Sequence, residues 1–215
     1  PLPDQRFGVN LMNDIKFSKL PTGNEVYFGD LVALHQSTME TLLSELGRPF
    51  VEKYYLAAAS NSLVIGSLAL VDGNLAGWTV GSPDPSSLNK SMANNAIWFV
   101  YQLIGLIFTK PIVFFTLIRT LLQPGENVIP TDAIELTYIG VSNQYTRRGI
   151  GSRLLRDFCL KARSEGYKTV VLSVETENTP AVSLYKSFGF KQIAEYIEGD
   201  FHRFRMSLFL PEWSE

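Results

Sequence analysis

The stretch VSNQYTRRGIGSRLL, Val141 to Leu155, decides how the rest of the chain is read. Two glycines one residue apart, Gly149 and Gly151, follow Arg147-Arg148 and open straight into an apolar-periodic run. Ile150, Leu154 and Phe158 fall at i, i+4 and i+8, a stripe that packs on a sheet, while Arg153, Arg156 and Lys161 occupy positions that face water. The first amides of such a helix, from Arg148 to Ser152, have no intrahelical acceptor and point outward with the positive end of the helix dipole. A phosphate placed there meets several aligned N–H donors, and the glycines keep side chains out of its way. A tight turn that serves only the chain path is the alternative reading of the same glycines. Two other phosphate loops do not fit. No lysine followed by serine or threonine comes after the glycines, and position 154, where the dinucleotide fingerprint needs a third glycine, is leucine.

Outward from this loop the pattern alternates. AIELTYIGV (133–141) precedes it as a strand, and TVVLSVE (169–175), dense in valine, follows its helix as another. A second helix starts near Pro180 and ends near Gly189. Two strands meet around Glu198 to Asp200, with Gly199 in the turn. Strand, helix, strand, helix demands a parallel pair with a crossover, and the hairpins on either side supply antiparallel neighbours. Upstream, DLVALHQSTMETLLSELG reads as one helix capped by Asp30 and ended by Gly47, and Pro49 opens another. Asp72-Gly73 between two β-type runs predicts a hairpin. Residues 83 to 95 read as a polar linker, and QPGENVIPTD (123–132) as a loop. The expected fold class is therefore α/β (α+β by some schemes): a mixed, mostly antiparallel central sheet with flanking helices, in a single domain over residues 1–215.

Composition narrows the function. With 46% hydrophobic and 19% charged residues the 215-residue chain is a globular one, and a net charge of −2 gives no electrostatic case for nucleic acid. The single cysteine, Cys159, excludes an internal disulfide framework and suits a reducing compartment. It lies among Leu155, Phe158 and Leu160 and reads as a small buried apolar side chain. His35 and His202 have no clustered Cys, Asp or Glu, so no metal site is expected. The opening PLPDQ carries no signal-peptide pattern, and the expected location is cytoplasmic, or peripheral at a membrane.

The glycine loop resembles the pyrophosphate-binding segment of the GNAT superfamily of acetyl-CoA-dependent N-acyltransferases: Gln or Arg, two residues, Gly, one residue, then Gly or Ala. Here it reads Thr146-Arg147-Arg148-Gly149-Ile150-Gly151, with Thr146 departing at the first position. NTPAVSLYKSFGF, Asn178 to Phe190, is similar to the superfamily's later motif through Asn178, Ala181, Leu184, Tyr185, Gly189 and Phe190. Both stand in the expected order, separated by the valine-rich strand.

The resemblance implies a splayed parallel strand pair and transfer of an acetyl group from acetyl-CoA to a primary amine by direct attack in a ternary complex. The pantetheine arm is then expected on the main chain of Ile139, Gly140 and Val141. The pyrophosphate falls on Arg147, Arg148, Gly149, Ile150, Gly151 and Ser152, and Asn178 reaches the pantetheine or thioester region. An N–H near Ile139 would polarise the thioester carbonyl. Alternation puts Glu135, Thr137 and Ile139 on one face of their strand, so a carboxylate is expected beside the thioester. Glu135 also falls where several superfamily members carry a general base, and Tyr185 matches the usual general acid. Two other readings stay open: a noncatalytic acyl-CoA-binding or regulatory module, and a membrane-associated acyltransferase using a longer acyl chain.

One segment lies outside the resemblance. AIWFVYQLIGLIFTKPIVFFTLIRTLL (96–122), part of an apolar helical stretch from about 94, has large apolar residues on every side. Lys110-Pro111 divides it, so two helices are expected, each shorter than the ~20 residues of a membrane span. Three roles compete: core, a homodimer or other protein interface, and a membrane-surface patch or apolar acceptor groove. Glu198, Asp200, His202, Arg203 and Arg205 are read as charges coating an exposed final hairpin, which in the superfamily that the chain resembles can border the acceptor.

Overall fold

The computed structural model describes residues 15–92, 96–122, 129–198 and 201–213. Gly199, residues 94–95 and most of the 123–132 loop lie outside them. Asp72 and Gly73 hold φ of 51° and 77°, the two successive left-handed residues of a tight hairpin. They join β2 (Ile65–Val71) to β3 (Asn74–Ser82). The expected 133–141 strand is β4 (Ala133–Val141), antiparallel to β3. The run 169–175 is β5 (Thr169–Glu175), parallel to β4. The last two strands are β6 (Lys191–Glu198) and β7 (Phe201–Phe209), and a short β1 (Ile15–Ser18), not foreseen from the sequence, edges β2. The mixed sheet runs β1-β2-β3-β4-β5-β7-β6, with β4–β5 the one parallel pair among the described residues.

Between β4 and β5 runs α7 (Ile150–Ser164). Its stripe of Ile150, Leu154, Leu155, Phe158, Cys159 and Ala162 is buried, worth roughly 1.5–3 kcal/mol for each large side chain. With α8 (Thr179–Ser187) it covers one face, over Ile134, Leu136, Val170, Leu172 and Leu208. Arg156 faces water as expected, whereas Lys161 does not stand free. Its ammonium donates to Asp157, 2.8 Å away, and to the Ser67 hydroxyl, tying α7 to β2.

The other face carries α1 (Phe28–Thr38), α2 (Leu42–Leu46) and α3 (Arg48–Ser60) around Leu68, Trp78 and Val80. Here the single helix read from Asp30 to Gly47 is two. Met39 is extended, and Thr41 starts the second helix by accepting a hydrogen bond from the Ser44 N–H. Asp30 lies in the first turn of α1, whose N-cap is Tyr27 in the left-handed region. The 83–95 stretch read as linker contains α4 (Pro85–Met92), where Asp84 accepts from the Ser87 N–H and Pro85 sits first in the helix. The apolar segment forms the expected pair, α5 (Ala96–Thr109) and α6 (Pro111–Leu122), broken before Pro111.

His35 is fully buried on this face. Its Nδ1 lies 2.9 Å from the Tyr55 hydroxyl and its ring stands edge-on to Tyr138 at 4.8 Å. Burial pushes its pKa from 6.5 down to about 4. The unfolded chain therefore binds more protons between those values, so stability from this site is present above pH 6.5 and lost as pH falls toward 4. The loss expected is about 3 kcal/mol. Urea unfolding of the wild type and of His35→Leu across this range measures it; equal slopes would remove His35 as the cause.

Candidate active site

The ladder between β4 and β5 runs from Ala133↔Thr169 to Leu136↔Leu172 and stops. Beyond it β4 follows β3 as far as Gly77↔Val141, and β5 follows β7 as far as Glu175↔Arg203. The two parallel strands thus splay at their carboxyl ends, where ligands of open α/β sheets enter. One edge of the Ile139, Gly140 and Val141 main chain faces this opening, the other being paired with β3.

The glycine loop closes the end of the wedge. Gly149 is the N-cap of α7 with φ of 73°, and no side chain caps the helix. Arg147 is also left-handed, with φ of 60°, a costly conformation for a side-chain-bearing residue that aims successive amides in a curve. A Cβ at Gly149 would meet nothing within 4 Å. One at Gly151 would sit 3.6 Å from Leu184 of α8 and 3.7 Å from Val141, an ordinary contact. The protein's own packing therefore leaves the space at Gly149 open, while α7, α8 and β4 converge at Gly151. Arg147, Arg148 and Ser152 border it, Arg148 lying over the Tyr145 ring at 5.4 Å. Thr146 turns its hydroxyl back onto the Asn143 carbonyl, 3.1 Å away. The Ile150 side chain is buried beneath.

Asn178 caps α8, its side-chain oxygen accepting from the Ala181 N–H at 3.2 Å. The Nδ2 amide is the group left to donate elsewhere. Tyr185, two turns further, is buried against Phe190, and burial pushes its phenol well above the usual value of 10.

Glu135 differs from expectation in two respects. The register shifts from Val80↔Tyr138 to Gly81↔Leu136, leaving Thr137 as the extra residue of a bulge. Alternation is reset there. Ile139 packs on the α7 side, while Tyr138 joins the cluster under α1 and α3, the face opposite Leu136 and so that of Glu135. Glu135, Thr137 and Ile139 do not share one face. Nor is Glu135 a free carboxylate: both of its oxygens are bound by Arg205, at 2.8 Å to Nη1 and 2.8 Å to Nη2. Arg205 Nη1 also donates to Ser173, which receives the Tyr196 hydroxyl at 2.9 Å. Arg205 is buried rather than coating an exposed hairpin; His202 is exposed as expected. The signal was in the strand itself, where Arg205 stands between Phe204 and Met206 in a run dense with core residues. Cys159 is buried and inert, its thiol pushed up to about 12 by desolvation.

The acetyltransferase (GNAT) family profile matches residues 31–190. The chain is similar to an N-alpha-acetyltransferase of Sulfurisphaera tokodaii, 46% identical over 57 residues, covering 26% of this chain and 34% of that protein. It is 42% identical over 64 residues to the N-alpha-acetyltransferase RimI of Mycobacterium tuberculosis, 30% of this chain and 39% of that one. It is 41% identical over 56 residues to a mycothiol acetyltransferase of Corynebacterium glutamicum, 26% and 19% of the two chains. These matches span less than two-fifths of the relatives' own length. In fold, the chain resembles the ribosomal-protein-S18-alanine N-acetyltransferase of Escherichia coli, with a TM-score of 0.59, 16% identity and coverage of 94% and 97%. The family profile takes in the splayed strands, the bare helix start and the Tyr185 helix together, and the chain belongs to the GNAT family of acetyltransferases.

Proposed function

We propose that this chain is a single acetyltransferase domain that moves an acetyl group from acetyl-CoA to a primary amine by direct attack. The observation that carries this reading is the uncapped start of α7, with open space at Gly149 and a Gly151 that lies against Leu184 of α8 and Val141 of the splayed β4. Residues Arg147 to Ser152 hold the pyrophosphate by main-chain N–H groups, as a compact anion at a helix start requires. Ile139, Gly140 and Val141 offer main chain to the pantetheine, and the Asn178 amide donates beside it. Gly140 is itself dictated by packing, since a Cβ there would run into the Trp78 ring.

In the transfer the amine nitrogen bonds to the acetyl carbon and the carbon–sulfur bond breaks. The amine proton passes to Glu135, directly or through a water. Arg205 engages both carboxylate oxygens, yet each retains a second lone pair for an incoming N–H or O–H. Tyr185 supplies the proton that the departing thiolate needs, and its raised pKa keeps that proton in place until then. The relatives' names carry different acceptors, and fold does not fix acceptor chemistry.

Free-thiol release from acetyl-CoA, followed with peptide N-termini, amino sugars and polyamines, tests the reading. Acetyl-CoA binding without turnover on any amine would return the chain to a noncatalytic module. Gly151→Leu, filling the cradle, is expected to weaken acetyl-CoA by about tenfold to a hundredfold, the loss of one hydrogen bond to a charged group. Calorimetry measures it, and an unchanged affinity removes the loop from the donor site.

A further inference from the structure

The α5–α6 pair is apolar on two sides. Trp98, Phe99, Leu103 and Phe114 pack on the cluster under α1 and α3, and Leu106 and Leu117 are buried. Outward, Ile97, Tyr101, Phe108, Ile112 and Phe115 are between 69% and 86% exposed. Their spacings of three, four and seven draw a stripe along each helix, so this is a continuous apolar face and not scattered single residues. The core therefore accounts for the inner stripe alone.

Charge selects the occupant. Residues 96–122 contain Lys110 and Arg119 and no aspartate or glutamate, in a chain whose net charge is −2. Lys110 stands at the joint of the helices, its ammonium on the Glu45 carbonyl at 2.8 Å, and Lys53 sits over Trp98 at 4.8 Å. Beside them stand Glu45 and a Glu52 already paired with Arg48, so Lys53, Lys110 and the exposed Arg119 leave the border net positive, and two copies of this face would bring like charge together. An anionic lipid surface complements it, offering apolar depth to the stripes and headgroup charge to the cations. At 14 and 12 residues the helices are about 21 and 18 Å long, less than the ~30 Å of a hydrocarbon core. Among the described residues no helix is long and apolar enough to cross a membrane.

We infer that the outer face of α5 and α6 seats this chain in the plane of an anionic lipid surface. The inference stands apart from the catalytic reading. Flotation of the full chain with vesicles of phosphatidylcholine, with and without phosphatidylglycerol, tests it. The wild type is expected to partition to the anionic vesicles at least about tenfold more strongly than to the neutral ones, and less so at high salt. Phe108→Glu with Phe115→Glu, both at exposed positions, is expected to abolish flotation while circular dichroism stays that of the wild type. Should that pair misfold, the milder Ile112→Ser is expected to reduce partition in the same assay. Absence of wild-type flotation on the anionic vesicles overturns the inference, as does equal flotation on anionic and neutral vesicles or flotation that folded variants retain. A dimer in sedimentation that the same substitutions dissociate, without flotation, assigns the face to a second copy instead.

Discussion

Replacing Arg205 by leucine is expected to cost about 3–5 kcal/mol of stability, the range for breaking a buried ion pair from one side. The two side chains are 9% and 17% exposed, so neither is a surface charge screened by water. The two Nη groups each donate to one carboxylate oxygen, Nη1 to Oε1 and Nη2 to Oε2, the two-pronged geometry that gives such pairs their directionality. Removing Arg205 leaves the Glu135 carboxylate half-buried without its counter-charge and withdraws one of the donors to Ser173. Equilibrium urea unfolding measures the loss. The double variant Arg205→Leu with Glu135→Gln is expected to regain part of it, because the orphaned charge is gone. A loss below about 1 kcal/mol, the worth of a surface pair, would refute the buried-pair account.

Glu135→Gln and Tyr185→Phe are each expected to lower kcat by about 10²–10⁴, the usual contribution of a placed acid or base. Glutamine keeps the shape of Glu135 and one oxygen for Arg205, so acetyl-CoA affinity is expected to stay within about twofold of the wild type, leaving the pyrophosphate grip intact. The Glu135→Gln deficit is expected to shrink as pH rises, because more of the amine then arrives without the proton that the carboxylate removes. Burial holds the Tyr185 phenol above its ordinary pKa, so the phenol does not ionise at neutral pH. The Tyr185→Phe deficit is expected to respond instead to the leaving group, shrinking with thioesters of more acidic thiols. Wild-type kcat across pH in either variant removes that residue from proton transfer.

Much of the fold was legible along the chain because its signals are local. The Asp72-Gly73 turn, the start of α7 at Gly149, the helix beginning near Pro180 and the bounds of β4 and β5 each rest on a few consecutive residues. Short-range φ preferences, capping and periodicity decide those without reference to distant parts. The break at Pro111 belongs with them, since a proline's missing N–H and ring clash act within one helical turn.

The break after Thr38 was less legible. DLVALHQSTMETLLSELG keeps helical periodicity through Met39 to Thr41, and the competing Thr41 cap is a weak local signal that packing on the sheet tips. What tertiary structure decided lies across the sheet. The Glu135–Arg205 pair joins positions 70 residues apart, and no periodicity in either strand announces a partner at that distance. The bulge at Thr137 arises from β3–β4 registry, a property of two strands, and it alone moved Ile139 to the opposite face. For α5 and α6 the composition declared apolarity on all sides, but which stripe is covered depends on what the rest of the fold places against it. Local conformation is thus set by energies between near neighbours, while pairing, facing and exposure are set by which distant surfaces the closed sheet brings into contact.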